Sequence, residues 1–130
     1  MFIDYQDARP IYEQIVEQYK KLILMGALTP DEQMPSVRSL AVELSTNPNT
    51  VQKAYSELER QGFIYTVKGR GAFVQKNEML VQSKKEELVD AILALAMEAE
   101  ELGMTKEEIR QAVLVRLGQE EKAEAVGGAS

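Results

Sequence analysis

The sequence predicts a mainly α-helical protein that contains one small β-hairpin. Two short helical segments in the first half of the chain are separated by a tight break, and two short β-type segments follow them around the turn 68–71. In the last third, apolar residues recur in a heptad rhythm. We therefore expect a winged helix-turn-helix domain over residues 1–76 and a two-helix segment over residues 77–119.

The first predicted helix extends from about Pro10 to Met25. Proline fits the first turn of a helix because the N–H group that it lacks would have no partner there. Apolar and aromatic side chains then recur at helical spacing, and Gly26 ends the helix. The face that we expect to be buried consists of Ile11, Tyr12, Ile15, Val16, Tyr19, Leu22 and Ile23.

Two helices and a short turn form the predicted helix-turn-helix. Ser36 is a suitable N-cap for a short first helix, which ends before the polar residues 45–47. Asn47 caps a second helix that has Pro48 at its first position and continues to about Gln61. The expected inner faces are Val37, Leu40, Ala41 and Leu44 in the first helix, and Val51, Ala54, Tyr55 and Leu58 in the second.

A β-hairpin, which we call the wing, is predicted directly after this pair. Its strands are Phe63–Val67 and Ala72–Gln75. The turn between them contains Gly69 and Gly71, which can adopt the positive φ angles that tight turns need.

Two further helices are predicted in the last third of the chain. The first runs from about Lys84 to Leu102. The second begins at Thr105, with the spacing of a capping box, and ends at about Gln119. Residues 120–130 have little apolar surface to bury, and we expect them to be disordered. The apolar stripe of the two helices is a hypothetical dimer interface formed by Leu88, Ile92, Leu95, Leu102, Ile109, Val113 and Leu117.

The charge of the chain changes sign along its length. It holds 15 basic and 21 acidic residues, for a net charge of −6. Residues 1–33 carry 3 basic and 6 acidic side chains, residues 34–76 carry 6 and 3, and residues 77–130 carry 6 and 12. The chain as a whole therefore does not attract polyanions, and nucleic-acid binding must come from the basic middle.

The sequence contains no cysteine and no histidine, which excludes disulfides, zinc sites built on thiolate or imidazole, and nucleophiles activated by histidine. We therefore predict no catalytic residues, no metal site and no cofactor. The N-terminus has neither the basic nor the apolar region of a secretory signal, and the longest uncharged apolar run, Ala91–Met97, is too short to cross a bilayer. We expect a cytoplasmic protein without membrane contact.

The second helix of the pair presents a polar face opposite its buried one. Near the helix start this face carries Asn49, Thr50, Gln52 and Lys53. Their amides, hydroxyl and ammonium can contact base edges or phosphates in a major groove. An ordinary solvated face would also be polar, but a face with a single charge suits close approach to bases better.

Three further cations extend this predicted DNA-binding surface. Lys68 and Arg70 lie on either side of Gly69 at the tip of the wing, where they could reach the minor groove or adjacent phosphates. Arg38, on the outer side of the first helix of the pair, could bind a phosphate. An ion pair with Glu43 would explain Arg38 equally well.

Four segments of the basic middle occur in a specific order and spacing: 35–41 (PSVRSLA), 47–59 (NPNTVQKAYSELE), 62–64 (GFI) and 69–74 (GRGAFV). Together they resemble the DNA-binding domain of GntR-family bacterial transcription regulators. Segment 10–15 (PIYEQI) and the Asn-Pro-Asn-Thr-Val start of the second helix are most similar to the YtrA subfamily, whose members add a short two-helix dimerisation segment. The resemblance implies DNA contacts by Arg38, Asn47, Asn49, Thr50, Gln52, Lys68, Gly69 and Arg70.

By this resemblance, the protein is expected to be a transcription regulator, and more specifically a repressor that binds an inverted-repeat operator in double-stranded DNA as a homodimer. Two other functions stay open: a sensor with an effector pocket between the C-terminal helices and the winged domain, or a winged-helix module for protein interaction. The apolar stripe could also pack against the winged domain of its own chain. An enzyme is the least supported class.

Overall fold

The computed structural model describes Met1 and residues 3–128, with residues 123–128 described by their backbone. Within this part of the chain, five helices and one two-stranded antiparallel sheet confirm the predicted fold class. The chain divides into two compact units, residues 1–82 and residues from 83 onward, so that the division falls inside the fourth helix. In chain order the elements are α1 (Ile11–Leu24), α2 (Val37–Glu43), α3 (Pro48–Arg60), β1 (Ile64–Val67), β2 (Gly71–Val74), α4 (Glu78–Glu101) and α5 (Lys106–Gly128).

The core of the first unit lies between α1, α2, α3 and the hairpin. Each fully buried aliphatic side chain there contributes about 1.5–3 kcal/mol of hydrophobic stabilisation. The expected inner faces of α2 and α3 are confirmed except at Val37, which is half-buried. On α1, Leu22 was expected to be buried but is 37% exposed. The largest of the fully buried side chains in this core are Ile15 and Ile23 from α1, Leu40 from α2, Val51 and Leu58 from α3, and Val74 from β2.

Two tyrosines fix the position of α3. Tyr55 packs edge-on against Tyr19 of α1, with 6.1 Å between the ring centroids and 89° between the ring planes. The Tyr55 hydroxyl donates a 2.7 Å hydrogen bond to the carbonyl of Pro35, just before α2. Burial raises the pKa of Tyr55, so the hydroxyl stays protonated and remains a donor. One face of α3 is thereby held against the other two helices, and the opposite face is free.

The predicted caps of the helix-turn-helix are confirmed. The Ser36 hydroxyl accepts a 3.0 Å hydrogen bond from the N–H three residues later, and Asn47 Oδ1 accepts a 2.8 Å bond from the N–H two residues later. Pro48 is the first residue of α3, as expected. Pro10 is the N-cap of α1 instead of a first-turn residue.

The loop between α1 and α2 pairs with the outer edge of β2, a contact that the sequence did not predict. The Asp31 N–H donates to the Val74 carbonyl at 2.7 Å, and the Met34 N–H donates to the Ala72 carbonyl at 2.8 Å. The strands themselves differ slightly from the prediction, since β1 begins one residue later and β2 begins and ends one residue earlier. The wing is therefore tied to the rest of the first unit along β2.

Helix α4 begins six residues before the predicted start at Lys84. The reason is tertiary, because Leu80 packs against the core of the first unit. The residue before the helix also contributes a bond to this unit, since Asn77 Nδ2 donates to the Ile23 carbonyl at 3.2 Å. The helix ends at Glu101, and Gly103 follows with a φ of 95°.

Helix α5 extends into the segment 120–130, which was expected to be disordered. The predicted capping box is present, because the Glu108 N–H donates to Thr105 Oγ1 at 3.1 Å and the Thr105 N–H donates to Glu108 Oε1 at 3.2 Å. The helix continues past Gln119 to Gly128, through a segment rich in the strong helix formers alanine, glutamate and lysine. Residues 129 and 130 lie outside the described residues. No helix in the described part of the chain combines the length and apolarity that a membrane crossing requires.

Candidate nucleic-acid interface

The free face of α3 carries uncharged polar side chains at its N-terminal end. Asn49 and Gln52 are exposed, and Thr50 is half-buried. Gln52 Nε2 donates a long, 3.3 Å hydrogen bond to Ser56 Oγ, one turn further along the helix. A side-chain amide can donate and accept at one base edge, so Asn49 and Gln52 suit the readout of adenine in a major groove.

Asn47 has a structural task in addition to its predicted DNA contact. Its Oδ1 is occupied by the capping hydrogen bond at the start of α3. Its Nδ2 makes no hydrogen bond to the residues that the structure describes, so this half of the amide is available to donate to a phosphate or a base. The helix N-terminus beside it attracts anions through the helix dipole.

Lys53 differs from its neighbours on α3 because its ammonium contacts an aromatic ring. The Lys53 Nζ lies 3.9 Å from the centroid of the Tyr12 ring on α1. This distance is well inside the range of cation–π interactions. The sequence could not predict the contact, because it depends on how α1 packs against α3.

Arg38 is exposed on α2 and has no ion-pair partner among the residues that the structure describes. Glu43, the alternative partner considered for it, is also exposed and does not pair with it. The guanidinium is therefore available to a phosphate oxygen, which it can bind with two parallel hydrogen bonds.

The tip of the wing presents two cations on a tight turn. The Arg70 N–H donates to the Val67 carbonyl at 2.9 Å, and Gly69 occupies the third turn position with a φ of 79°. Lys68 and Arg70 are both exposed, and neither forms an ion pair within the described part of the chain. Both charges are thus available at the point of the hairpin that extends furthest from its strands.

The loop before α2 holds this turn in place. Gln33 Nε2 donates a 2.9 Å hydrogen bond to the Arg70 carbonyl, and a Cβ at Gly71 would lie 3.4 Å from the same nitrogen. The Tyr65 hydroxyl donates to Asp31 Oδ1 at 2.7 Å. Sequence reasoning missed both contributions, since a polar loop residue gives no signal of the strand it will pair with.

The acidic side chains of α3 are paired with neighbouring donors. Glu57 accepts hydrogen bonds from the Arg60 guanidinium and, at 2.8 Å, from Gln61 Nε2. Glu59 accepts a 3.1 Å bond from Thr66 Oγ1 on β1. No group of acidic side chains among the described residues is placed to hold a metal ion.

The Glu57 pair gives a pH-dependent contribution to stability. The hydrogen bonds from Arg60 and Gln61 lower the pKa of Glu57 from 4.5 to about 2. The unfolded chain binds this proton more tightly than the folded one, so the contribution is present above about pH 4.5 and is lost as the pH falls toward 2.

We expect the wild type to lose more of its free energy of unfolding between about pH 6 and about pH 3 than the variant Glu57→Gln, whose side chain cannot titrate. The difference should be small because the pair lies at the surface. Urea denaturation at several pH values measures it. The same pH dependence in both proteins would contradict the assignment.

The C-terminal helices carry a second candidate surface, which is apolar. Of α4, which the structure describes completely, no residue is buried. The predicted interface residues on α4 and α5, and Leu102 directly after α4, are exposed, from 46% at Val113 to 89% at Leu102. The exception is Ile109, which is half-buried. Further large apolar side chains, which the prediction did not include, are equally exposed: Val89, Leu93 and Met97 on α4, and Leu114 and Val115 on α5.

Comparisons with known proteins agree with this geometry. Residues 11–74 match the family "Bacterial regulatory proteins, gntR family". The HTH-type transcriptional repressor YtrA of Bacillus subtilis is 41% identical over 111 residues, which cover 84% of this chain and 85% of YtrA. A transcriptional regulator from Oenococcus oeni has a similar structure, with a TM-score of 0.77 and 34% identity over 90% of this chain and 97% of the other.

A second similar structure contains DNA. AraR(DBD), solved in complex with operator ORE1, has a TM-score of 0.50 and 30% identity, over 56% of this chain and 89% of that one. The matched family segment spans α1 through β2, and the likeness to YtrA extends well beyond it. The chain therefore belongs to the GntR family of bacterial regulatory proteins and is of the YtrA type.

Proposed function

We propose that the protein is a sequence-specific DNA-binding transcription regulator that acts in the cytoplasm as a repressor. The observation that carries the proposal is the free N-terminal face of α3, where Asn49 and Gln52 are exposed opposite a buried face. Arg38 and the two wing cations supply unpaired positive charge on the same unit. The repressor name of the Bacillus subtilis relative and the operator complex of AraR(DBD) support the same function.

The regulator acts as a homodimer held together by α4 and α5. The middle of α4, residues 88–97, has apolar side chains all around the helix and a single charge, at Asp90. A helix that is apolar on every side is normally buried, and large apolar patches on a protein surface usually mark an interface. A second copy of the chain offers the same apolar surface and would cover it.

A twofold dimer reads an inverted repeat. Its two α3 helices enter major grooves about one helical turn apart, roughly 10 base pairs, or a multiple of that distance. Pairing two winged units also raises affinity, because the second unit binds at the high local concentration set by the first. The acidic C-terminal segment keeps DNA away from the rest of the surface.

Selection of bound sequences from a random duplex library tests this proposal. Purified full-length protein at near-physiological salt should enrich an inverted repeat. Enrichment of a single half-site would contradict the dimer but support DNA reading. No enrichment by folded protein would contradict the regulator and favour a protein-interaction module.

The wing makes a separate prediction about salt dependence. The variants Lys68→Ala and Arg70→Ala should weaken binding to every sequence and leave the preferred bases unchanged, because phosphate contacts carry no sequence information. Each lost phosphate contact should reduce the slope of log K against log salt by about 0.9. The control is Arg110→Ala, which removes an arginine already paired with Glu107 on α5. A change of base preference at constant slope would show that the wing reads bases.

A further inference from the structure

We infer that Tyr12 is a positioning residue for DNA binding, because its ring holds the ammonium of Lys53 at the edge of the recognition face. This inference rests on the proposed function. It concerns a residue of α1, which lies outside α2, α3 and the wing, the elements that carry the proposed DNA contacts.

The contact geometry is the first support. The Lys53 Nζ is 3.9 Å from the centroid of the Tyr12 ring, so the charge lies close to the electron-rich face. Lys53 is exposed and lies one turn after Asn49, on the same side of α3. The ammonium therefore sits beside the polar side chains that face the groove.

The second support is the absence of a competing carboxylate. The residue one turn after Lys53 is Glu57, which would be its natural ion-pair partner on the helix. Glu57 is instead engaged by Arg60 and Gln61. Lys53 has no ion pair among the described residues, so the ring is the group that fixes its position.

The protonation state of Tyr12 is also compatible with this contact. Burial and the negative charges of Glu13 and Glu57 raise the pKa of Tyr12, so the phenol is neutral at ordinary pH. Its hydroxyl donates to Glu13 Oε1 at 3.3 Å and takes no part in the cation–π contact, since it is the ring face that attracts the ammonium of Lys53. Phenylalanine should therefore replace Tyr12 without loss.

The consequence for binding is a smaller entropic cost. A lysine side chain has four rotatable bonds that must be fixed when its ammonium meets a phosphate. The ring restricts them before DNA arrives and leaves N–H groups of the ammonium free to donate. Lys53 thus acts as a prepositioned phosphate ligand, and its contribution requires Tyr12.

A double-mutant cycle on operator affinity tests the inference, with the operator taken from the selection described above. We expect Tyr12→Leu to weaken binding about two- to fivefold and Tyr12→Phe to leave it unchanged. Lys53→Gln should weaken binding and lower the salt slope by about 0.9. In the Lys53→Gln background, Tyr12→Leu should have no further effect.

Three results would overturn the inference. An equal loss from Tyr12→Leu in both backgrounds would mean that the ring acts only through packing of α1, which the thermal unfolding midpoint of each variant would also report. No effect of Lys53→Gln on affinity or slope would mean that Lys53 does not meet DNA. Tighter DNA binding by the variant Tyr12→Leu would mean that the ring keeps the Lys53 ammonium away from DNA. In each case sequence-specific binding by the wild type, still weakened by Arg70→Ala, would leave the proposed function intact.

Discussion

Replacing Leu95 with glutamate should convert the dimer into monomers and lower operator affinity by about 100-fold or more. Leu95 lies in the middle of α4 and is 64% exposed, in a helix segment whose neighbours are almost all apolar. In a dimer this side chain would be covered, and a buried carboxylate without a partner is strongly unfavourable. The variant therefore disfavours the dimer without touching the core of the first unit.

The loss of affinity follows from the loss of the linked second unit. A monomer contacts one half-site, and linkage of two binding modules typically raises affinity by about 10²–10⁴-fold. The variant should still recognise a half-site with the same base preference, since α2, α3 and the wing are unchanged. Sedimentation equilibrium measures the assembly state, and a binding titration measures the affinity.

The matched control is Ser83→Glu, which adds the same charge to an exposed position of the same helix. It should remain dimeric and bind the operator with nearly wild-type affinity. A Leu95→Glu protein that stays dimeric would place the interface elsewhere. A monomeric variant with undiminished affinity would separate dimerisation from operator binding.

Sequence reasoning succeeded where local signals and tertiary packing agree. Ser36 and Asn47 have side chains that cap a helix wherever it is placed, so both caps could be predicted. The inner face of α3 repeats at helical spacing, and the exposed face opposite it followed directly. The capping box of Thr105 was equally local.

Prediction from the sequence was incomplete where the position of an element depends on contacts with residues distant in the chain. Helix α4 starts early because Leu80 finds the core of the first unit, and no pattern within residues 78–83 indicates this contact. The same is true of Gln33 at the wing and of Tyr12 beside Lys53. The heptad interpretation also assumed one apolar seam, whereas α4 exposes a second set of large apolar side chains that includes Val89 and Leu93.

Removing the amide of Asn49 should cost about 1–3 kcal/mol of binding free energy at one base position and relax the preference there. Asn49 is exposed on the free face of α3, and its amide can pair with both polar groups of an adenine edge. The variant Asn49→Ala keeps α3 intact, because the capping bond to Asn47 uses the backbone N–H of residue 49 and not its side chain. Alanine is also a better helix former than asparagine.

Gln52→Ala should have an effect of similar size at a different base position, because Gln52 gives up only a long bond to Ser56 when it meets DNA. Selection from a random library with each variant identifies the relaxed position. The control is Gln111→Ala, which removes an exposed amide on α5 and should leave the consensus unchanged. If Asn49→Ala and Gln52→Ala both select the wild-type consensus, this face of α3 does not read the sequence. The readout would then have to come from the wing or from the shape of the DNA, which a side-chain amide on α3 does not affect.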